Sequence, residues 1–212
     1  RTLKTVLNPP IALMILAIST IWIGTILMIS LGSINGLKNP ESYHLTAWFG
    51  GTIASTIGVA LLGALHYWFP KITGRALNPK PAWIQTGLVT TGVIFGLVGQ
   101  FTLSQAGITR GAPSELFISI FNNGYPIEGQ IGSGFTQAGL LLFFFGLAGF
   151  FAEAIKSLRA GRRVGNNPWG AQTLEWYTTS PPQPTNFEHL PEIQSPSPLK
   201  EFQIQREQPR ER

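Results

Sequence analysis

The three histidines, His44, His66 and His189, are the side chains of this sequence best suited to hold a metal. A neutral imidazole offers one nitrogen lone pair, the commonest protein donor to metal ions and haem iron. His44 stands in the stretch ESYHLTAWFGG, 41–51, where the chain enters a long apolar run. His66 closes the same run, roughly 33 Å further along a helix at 1.5 Å per residue. The two therefore lie at opposite ends and cannot share one metal or haem. His44 could serve only if a second axial ligand came from a partner helix at the same depth. An interfacial hydrogen bond suits His66, and solvent suits His189 in the polar tail. The chain contains no cysteine, which excludes disulfides, iron–sulfur clusters, thiolate zinc sites and thiol nucleophiles. No glycine-rich phosphate loop, catalytic triad or metal-spaced carboxylate set is visible.

The elements that must position these residues follow from hydropathy. The 212 residues are 44% hydrophobic and only 12% charged, about half the usual charged share. The charges gather at the ends of apolar runs and in the last sixty or so residues, the pattern of an integral membrane protein with a polar tail. The net charge of +5 comes with no basic patch interleaved with aromatics, so nucleic acid is not expected as a partner. Four runs suit transmembrane helices: 11–32, opened by Pro9 and Pro10; 44–69, stopped by Pro70; 83–103, opened by Pro79 and Pro81; and 134–155. The first is too long for a cleavable leader and lacks a small-residue cleavage motif. Residues 116–121 read as an interfacial or re-entrant piece. The expected fold is thus an all-α membrane protein. It has an N-terminal segment 1–10, a four-helix domain 11–158 and an extended Pro-rich tail 159–212.

Loop charge orients the bundle. Arg1, Lys4, Lys71, Arg75, Lys80, Lys156, Arg159, Arg162 and Arg163 fall on one side, and Lys38 and Arg110 on the other. The positive-inside rule then puts both termini in the cytoplasm, or in the matrix of an organelle. Glu153 with Lys156 and Arg159 reads as a snorkelling interfacial cluster. Gln100 and Gln137 read as interhelical hydrogen-bond glue, and the Gly92/Gly96 GxxxG pair as a close helix contact.

The tail resembles a known family. Asn167-Pro168-Trp169-Gly170-Ala171, Thr173-Leu174-Glu175-Trp176, Ser180-Pro181-Pro182 and Asn186-Phe187 are similar, in order, to the C-terminal segment of subunit I of the haem–copper cytochrome c oxidases. Tyr67-Trp68-Phe69-Pro70-Lys71 with Thr73-Gly74-Arg75 resembles the stretch YWFPKMTGR of that family. Glu41-Ser42-Tyr43 falls where the family has Asp-Thr-Tyr, and 105–110 near its AGMPRR loop. The resemblance implies that residues up to about Phe187 correspond to the last four of twelve subunit I helices.

It also implies departures. Aligned without gaps, the two haem-ligand histidines of the family's tenth helix fall on Trp48 and Gly50, neither of which can ligate iron. The outer arginine pair becomes Arg110 followed by Gly111, and the Asp near the family's magnesium site becomes Glu41. Glu41 and Arg110 are expected to pair and tie the outer loops together.

The expectation is a degenerate copy that binds no cofactor or metal by itself. Haem and copper would sit in a partner catalytic subunit, and membrane lipids would surround the helices. Asn167, Pro168, Trp169, Gly170, Glu175, Trp176, Pro181, Pro182 and Phe187 are the candidate partner-docking residues. The resulting reading is a non-catalytic accessory subunit of a terminal oxidase or respiratory supercomplex. A bacterial or archaeal cytoplasmic membrane is the expected location, with the mitochondrial inner membrane as the alternative. Two other readings stay open: the C-terminal piece of a split catalytic subunit I, and a small haem- or quinol-binding electron carrier.

Overall fold

The computed structural model describes residues 7–31, 47–106, 126–185, 187 and 198–199. Four long helices carry the described residues. They are α1 (Pro9–Leu31), α2 (Ser55–Thr73), α3 (Pro79–Gln105) and α4 (Ile127–Ala160), with a π-helical segment, Ala47–Ala54, leading directly into α2. No strand occurs among the described residues; Arg75 and Arg163 form one isolated bridge. A helix long and apolar enough to cross a bilayer overlaps each of the four expected spans. The chain divides into two compact units, Arg1–Ala64 with Pro79–Ala152, and Leu65–Asn78 with Glu153–Arg212.

In the first unit, α1 begins where Asn8 can cap it, its Oδ1 accepting the Ile11 N–H at 3.1 Å. Pro9 and Pro10 then occupy first-turn positions whose N–H groups would have no helical partner. Leu13, Ala17, Thr20 and Gly24 form an inward stripe, while Ile15, Ile18, Trp22, Ile26 and Ile29 are exposed at the same helical period. Both stripes are largely apolar, as a helix bathed in lipid requires. α1 packs on the π-helical segment and on α3. Gly24 makes room for Thr52, since a Cβ there would collide with the Thr52 hydroxyl.

α3 and α4 meet backbone to backbone. A Cβ added at Gly92 would lie 2.7 Å from the Gly139 carbonyl, and one at Gly139 2.5 Å from the Gly96 nitrogen. Gly99 faces Gly132 and Thr136 equally closely. In lipid, where apolar burial gives little drive between helices, such close approach lets dispersion hold them. The GxxxG pair is therefore a true contact, though an unequal one: a Cβ on Gly96 itself would meet nothing within 4 Å.

Three elements differ from expectation. α2 continues past Pro70 to Thr73. The added turn survives because the Thr73 hydroxyl donates to the Phe69 carbonyl at 2.7 Å and the Gly74 N–H to the Pro70 carbonyl at 2.9 Å. α4 starts seven residues before the apolar run, its first turns being too polar for a hydropathy window to include. The start of the second span is π-helical, a rare form wider than an α-helix, and Gly50 and Gly51 sit within it.

Candidate functional site

The second unit is built around the end of α2. Tyr67, Lys71 and Gly74 follow one another at i, i+4 and i+7, so they share a helix face. The tail runs past that face. The Trp169 indole N–H donates to the Tyr67 carbonyl at 2.9 Å, and its ring stacks on Tyr67 with centroids 5.8 Å apart and planes at 10°. Trp176, on a single 3-10 turn (Leu174–Trp176), stacks on Trp68 at 5.6 Å and meets Tyr67 edge-on at 5.3 Å. Such pairs add about 0.5–1.5 kcal/mol each beyond area burial. Trp176 is only 1% exposed. Its indole N–H lies toward Tyr67 without reaching hydrogen-bond geometry, so face and edge contacts hold the ring.

Lys71 is the cation at the centre. It is 3% exposed, its ammonium donates to the Thr178 carbonyl at 2.6 Å and to the Asn166 carbonyl at 3.4 Å, and it lies 5.5 Å from the centroid of the Trp176 ring. A buried ammonium needs such compensation, and carbonyl dipoles with an aromatic face supply it. Gly74 then turns the chain with φ +68°, a conformation that favours glycine. A Cβ there would also lie 2.7 Å from the Ser180 carbonyl. Asn167 fixes the start of the tail turn by bonding Ala171 twice, accepting its N–H at 2.9 Å and donating to its carbonyl at 2.7 Å. Ser180–Pro181 is a cis peptide.

The end of α4 grips the connection after α2. Glu153 Oε1 accepts the Asn78 N–H at 3.1 Å, the Ser157 hydroxyl donates to the Ala76 carbonyl at 2.8 Å, and Arg75 donates to the Gly161 carbonyl at 2.8 Å. Glu153, Ser157 and Gly161 stand four residues apart, on one face. Glu153 does not join a snorkelling cluster with Lys156 and Arg159; its carboxylate turns inward and accepts a backbone N–H of the connection after α2.

The candidate site residues distribute as follows. Trp48 and Gly50 lie in the π-helical segment. An indole and a glycine have no donor lone pair for iron, so these two positions do not fit a haem ligand pair. His44, Glu41 and Arg110 lie outside the described residues, and the proposed Glu41–Arg110 pair with them. His66 is buried, 3% exposed. Among the described residues no cluster of three or more His, Asp or Glu could hold a metal.

Of the nine candidate docking residues, Pro168, Gly170, Glu175, Pro181 and Pro182 are exposed, Asn167, Trp169 and Phe187 half-buried, and Trp176 buried. Phe187 stacks on Tyr177 at 6.4 Å, and Glu175 accepts the Thr173 hydroxyl at 2.7 Å. Gln137 donates to Ser133 of its own helix at 2.9 Å, and Gln100 Oε1 is buried with no hydrogen-bond partner among the described residues. Lys71 and Arg75 were legible only as loop charges. The signal that could have found them is the aromatic pair just before Lys71, which marks a surface another aromatic segment can cover.

These features define an integral membrane protein of four long apolar helices whose tail folds back on the end of its own second span. No family model matches the chain. Its relatives, however, agree with one another. Over 152 residues it is 30% identical to the heme-copper oxidase subunit I+III of Aeropyrum pernix, covering 72% of this chain and 17% of that protein. Over 166 residues it is 32% identical to cytochrome c oxidase subunit 1 of Corynebacterium glutamicum, covering 76% of this chain and 27% of the relative. Over 192 residues it is 30% identical to the probable cytochrome c oxidase subunit 1-beta of Nocardia farcinica, covering 85% and 31% respectively. The chain is a homologue of cytochrome c oxidase subunit I, as the tail resemblance implies. It spans less than a third of the length of these relatives.

Proposed function

We propose that this chain is a non-catalytic, subunit-I-like structural subunit of a haem–copper terminal oxidase or respiratory supercomplex. It would pack against the subunits that bind haem and copper and carry no electrons itself. The carrying observation is the pair Trp48 and Gly50 at the positions where the resemblance implies haem ligands, within a chain homologous to subunit I over most of its length. The exposed prolines of the tail, with Glu175, are the surface left for docking. Both termini face the cytoplasm, or the matrix in an organelle, and the host membrane is bacterial or archaeal, with the mitochondrial inner membrane as the alternative.

A second reading rests on the tail and α2-end motifs that resemble subunit I: the chain is the C-terminal portion of a split subunit I. One experiment separates the two. A tagged chain is purified from its native membrane, and its co-purifying subunits and haem content are measured. Recovery with a full-length subunit I supports the accessory reading. Recovery with only an N-terminal subunit I piece, in a complex that holds haem stoichiometrically, supports the split enzyme. Stoichiometric haem in the isolated chain overturns both.

A further inference from the structure

The end of α4 carries four cations within eight residues: Lys156, Arg159, Arg162 and Arg163. All four are exposed, and none forms an ion pair among the described residues. The two nearest carboxylates in sequence are engaged elsewhere, Glu153 on the Asn78 N–H and Glu175 on the Thr173 hydroxyl. This distinguishes the four from Lys71 and Arg75, whose charges are spent on carbonyls inside the same unit.

The residues beside the cations locate them. Ile155 and Leu158 are 53% and 51% exposed on the same turns of α4, and Leu65, Trp68 and Ile72 are exposed at the end of α2. Exposed aliphatic side chains immediately followed by unpaired arginines describe a helix leaving the hydrocarbon region, with its cations at headgroup depth. A phosphate at that depth accepts two parallel N–H bonds from a guanidinium.

We propose that Lys156, Arg159, Arg162 and Arg163 form a docking surface for anionic phospholipid headgroups. The surface recognises phosphate and net negative charge together, and it lies on the side of the membrane from which the tail emerges. The inference does not depend on which oxidase hosts the chain.

The test uses the full chain reconstituted in phosphatidylcholine with a trace of spin-labelled lipid. The enrichment of labelled phosphatidylglycerol over labelled phosphatidylcholine at the protein is read by electron paramagnetic resonance. Each surface cation carries up to about a fivefold preference. One arginine-to-glutamine change should therefore lower the enrichment by up to that factor, and R159Q/R162Q/R163Q should leave at most the roughly fivefold preference that Lys156 alone can carry. The lysine triple variant, R159K/R162K/R163K, should keep most of it, and R110Q should leave it unchanged.

Unaltered enrichment in the glutamine triple variant, or equal loss in R110Q, overturns the proposal. The wild-type chain provides a readout independent of any variant. Raising salt from about 0.05 M to about 1 M cuts the Debye length to about 3 Å and should collapse the preference; a salt-indifferent preference overturns it. Displacement of the labelled lipid by inorganic phosphate at matched ionic strength would reassign the surface to free phosphate and equally overturn a lipid site.

Discussion

Changing Gly92 to alanine adds one methyl group where α3 and α4 touch. Its Cβ would lie 2.7 Å from the Gly139 carbonyl oxygen and 2.8 Å from the Phe143 backbone nitrogen, some 0.6–0.7 Å short of ordinary contact at 3.4 Å. Both obstacles are backbone, so no rotamer change relieves them. The helices must separate, and a gap of 0.5–1 Å forfeits a quarter to a half of each dispersion contact it opens. Overpacking of this kind costs about 1–3 kcal/mol. Gly96→Ala is the internal control. It lies one turn along the same helix and faces a groove of about 320 Å³, where a Cβ meets nothing within 4 Å.

Alanine also favours helix over glycine by about 1 kcal/mol, and that gain is common to both variants. The difference between them isolates the clash. Gly96→Ala should be neutral or stabilising, and Gly92→Ala less stable than Gly96→Ala by about 1–3 kcal/mol. The assay is denaturant-induced loss of helicity of the purified chain in one fixed detergent. Equal midpoints for the two variants would refute the asymmetric contact, and a lower midpoint for Gly96→Ala would invert it.

Three further outcomes concern the second unit. Trp169→Phe keeps the stack on Tyr67 but loses the N–H bond to its carbonyl, and should weaken tail attachment by about 1 kcal/mol, measured as faster amide exchange over 166–180. Gly74→Ala meets both a positive φ and the Ser180 carbonyl, so it should cost more than about 1 kcal/mol and raise the rate of proteolysis beyond Gly161. Ser157→Ala leaves the Ala76 carbonyl without its hydroxyl donor and should lower stability by about 1–2 kcal/mol, whereas Ser157→Thr, which keeps the hydroxyl, should lose less in the same denaturant titration.

The four spans were legible because a run of about twenty apolar residues bounded by charge and proline has the length and the hydropathy to cross a bilayer as a helix. Their ends were less legible. Pro70 reads as a stop, yet Thr73 and Gly74 supply bonds that carry α2 one turn further. The start of α4 is polar and escapes any hydropathy window. Of the site, the tail motif was visible as a string of residues, but not what it covers. Lys71 looks like any loop cation, because its partner Thr178 is 107 residues away in sequence. Glu153 shows the same difficulty: helical spacing puts Lys156 within reach, but only the fold brings the Asn78 N–H closer. Sequence spacing carries information about neighbours on one element, and little about which distant backbone group will need an acceptor.

The two motifs that carried the resemblance, the aromatic end of α2 and the tail, form one site. Val164, Asn166 and Trp169 meet Gly74, Lys71 and Tyr67 in that order, and Trp176, Thr178 and Ser180 then meet Tyr67, Lys71 and Gly74, so the tail runs back along the helix end and then doubles over to follow it again. Lys71 is the middle contact, and its removal tests whether the register depends on it. Lys71→Met keeps most of the stem's volume and its packing, but leaves the buried Thr178 carbonyl without a charged donor. A hydrogen bond to a charged group contributes about 1.5–3 kcal/mol, and the methionine desolvates at less cost than an ammonium, so the net loss should fall near the lower end.

Lys71→Arg is not expected to rescue the contact, because a planar fork cannot aim three rotatable donors at two carbonyls beneath an indole. Amide exchange at Thr178–Ser180 should accelerate by roughly tenfold in Lys71→Met, the kinetic equivalent of about 1.4 kcal/mol, while protection in α1 stays as in the wild type. Unchanged exchange at Thr178–Ser180 would show that aromatic stacking alone sets the register and that the buried cation is incidental to it.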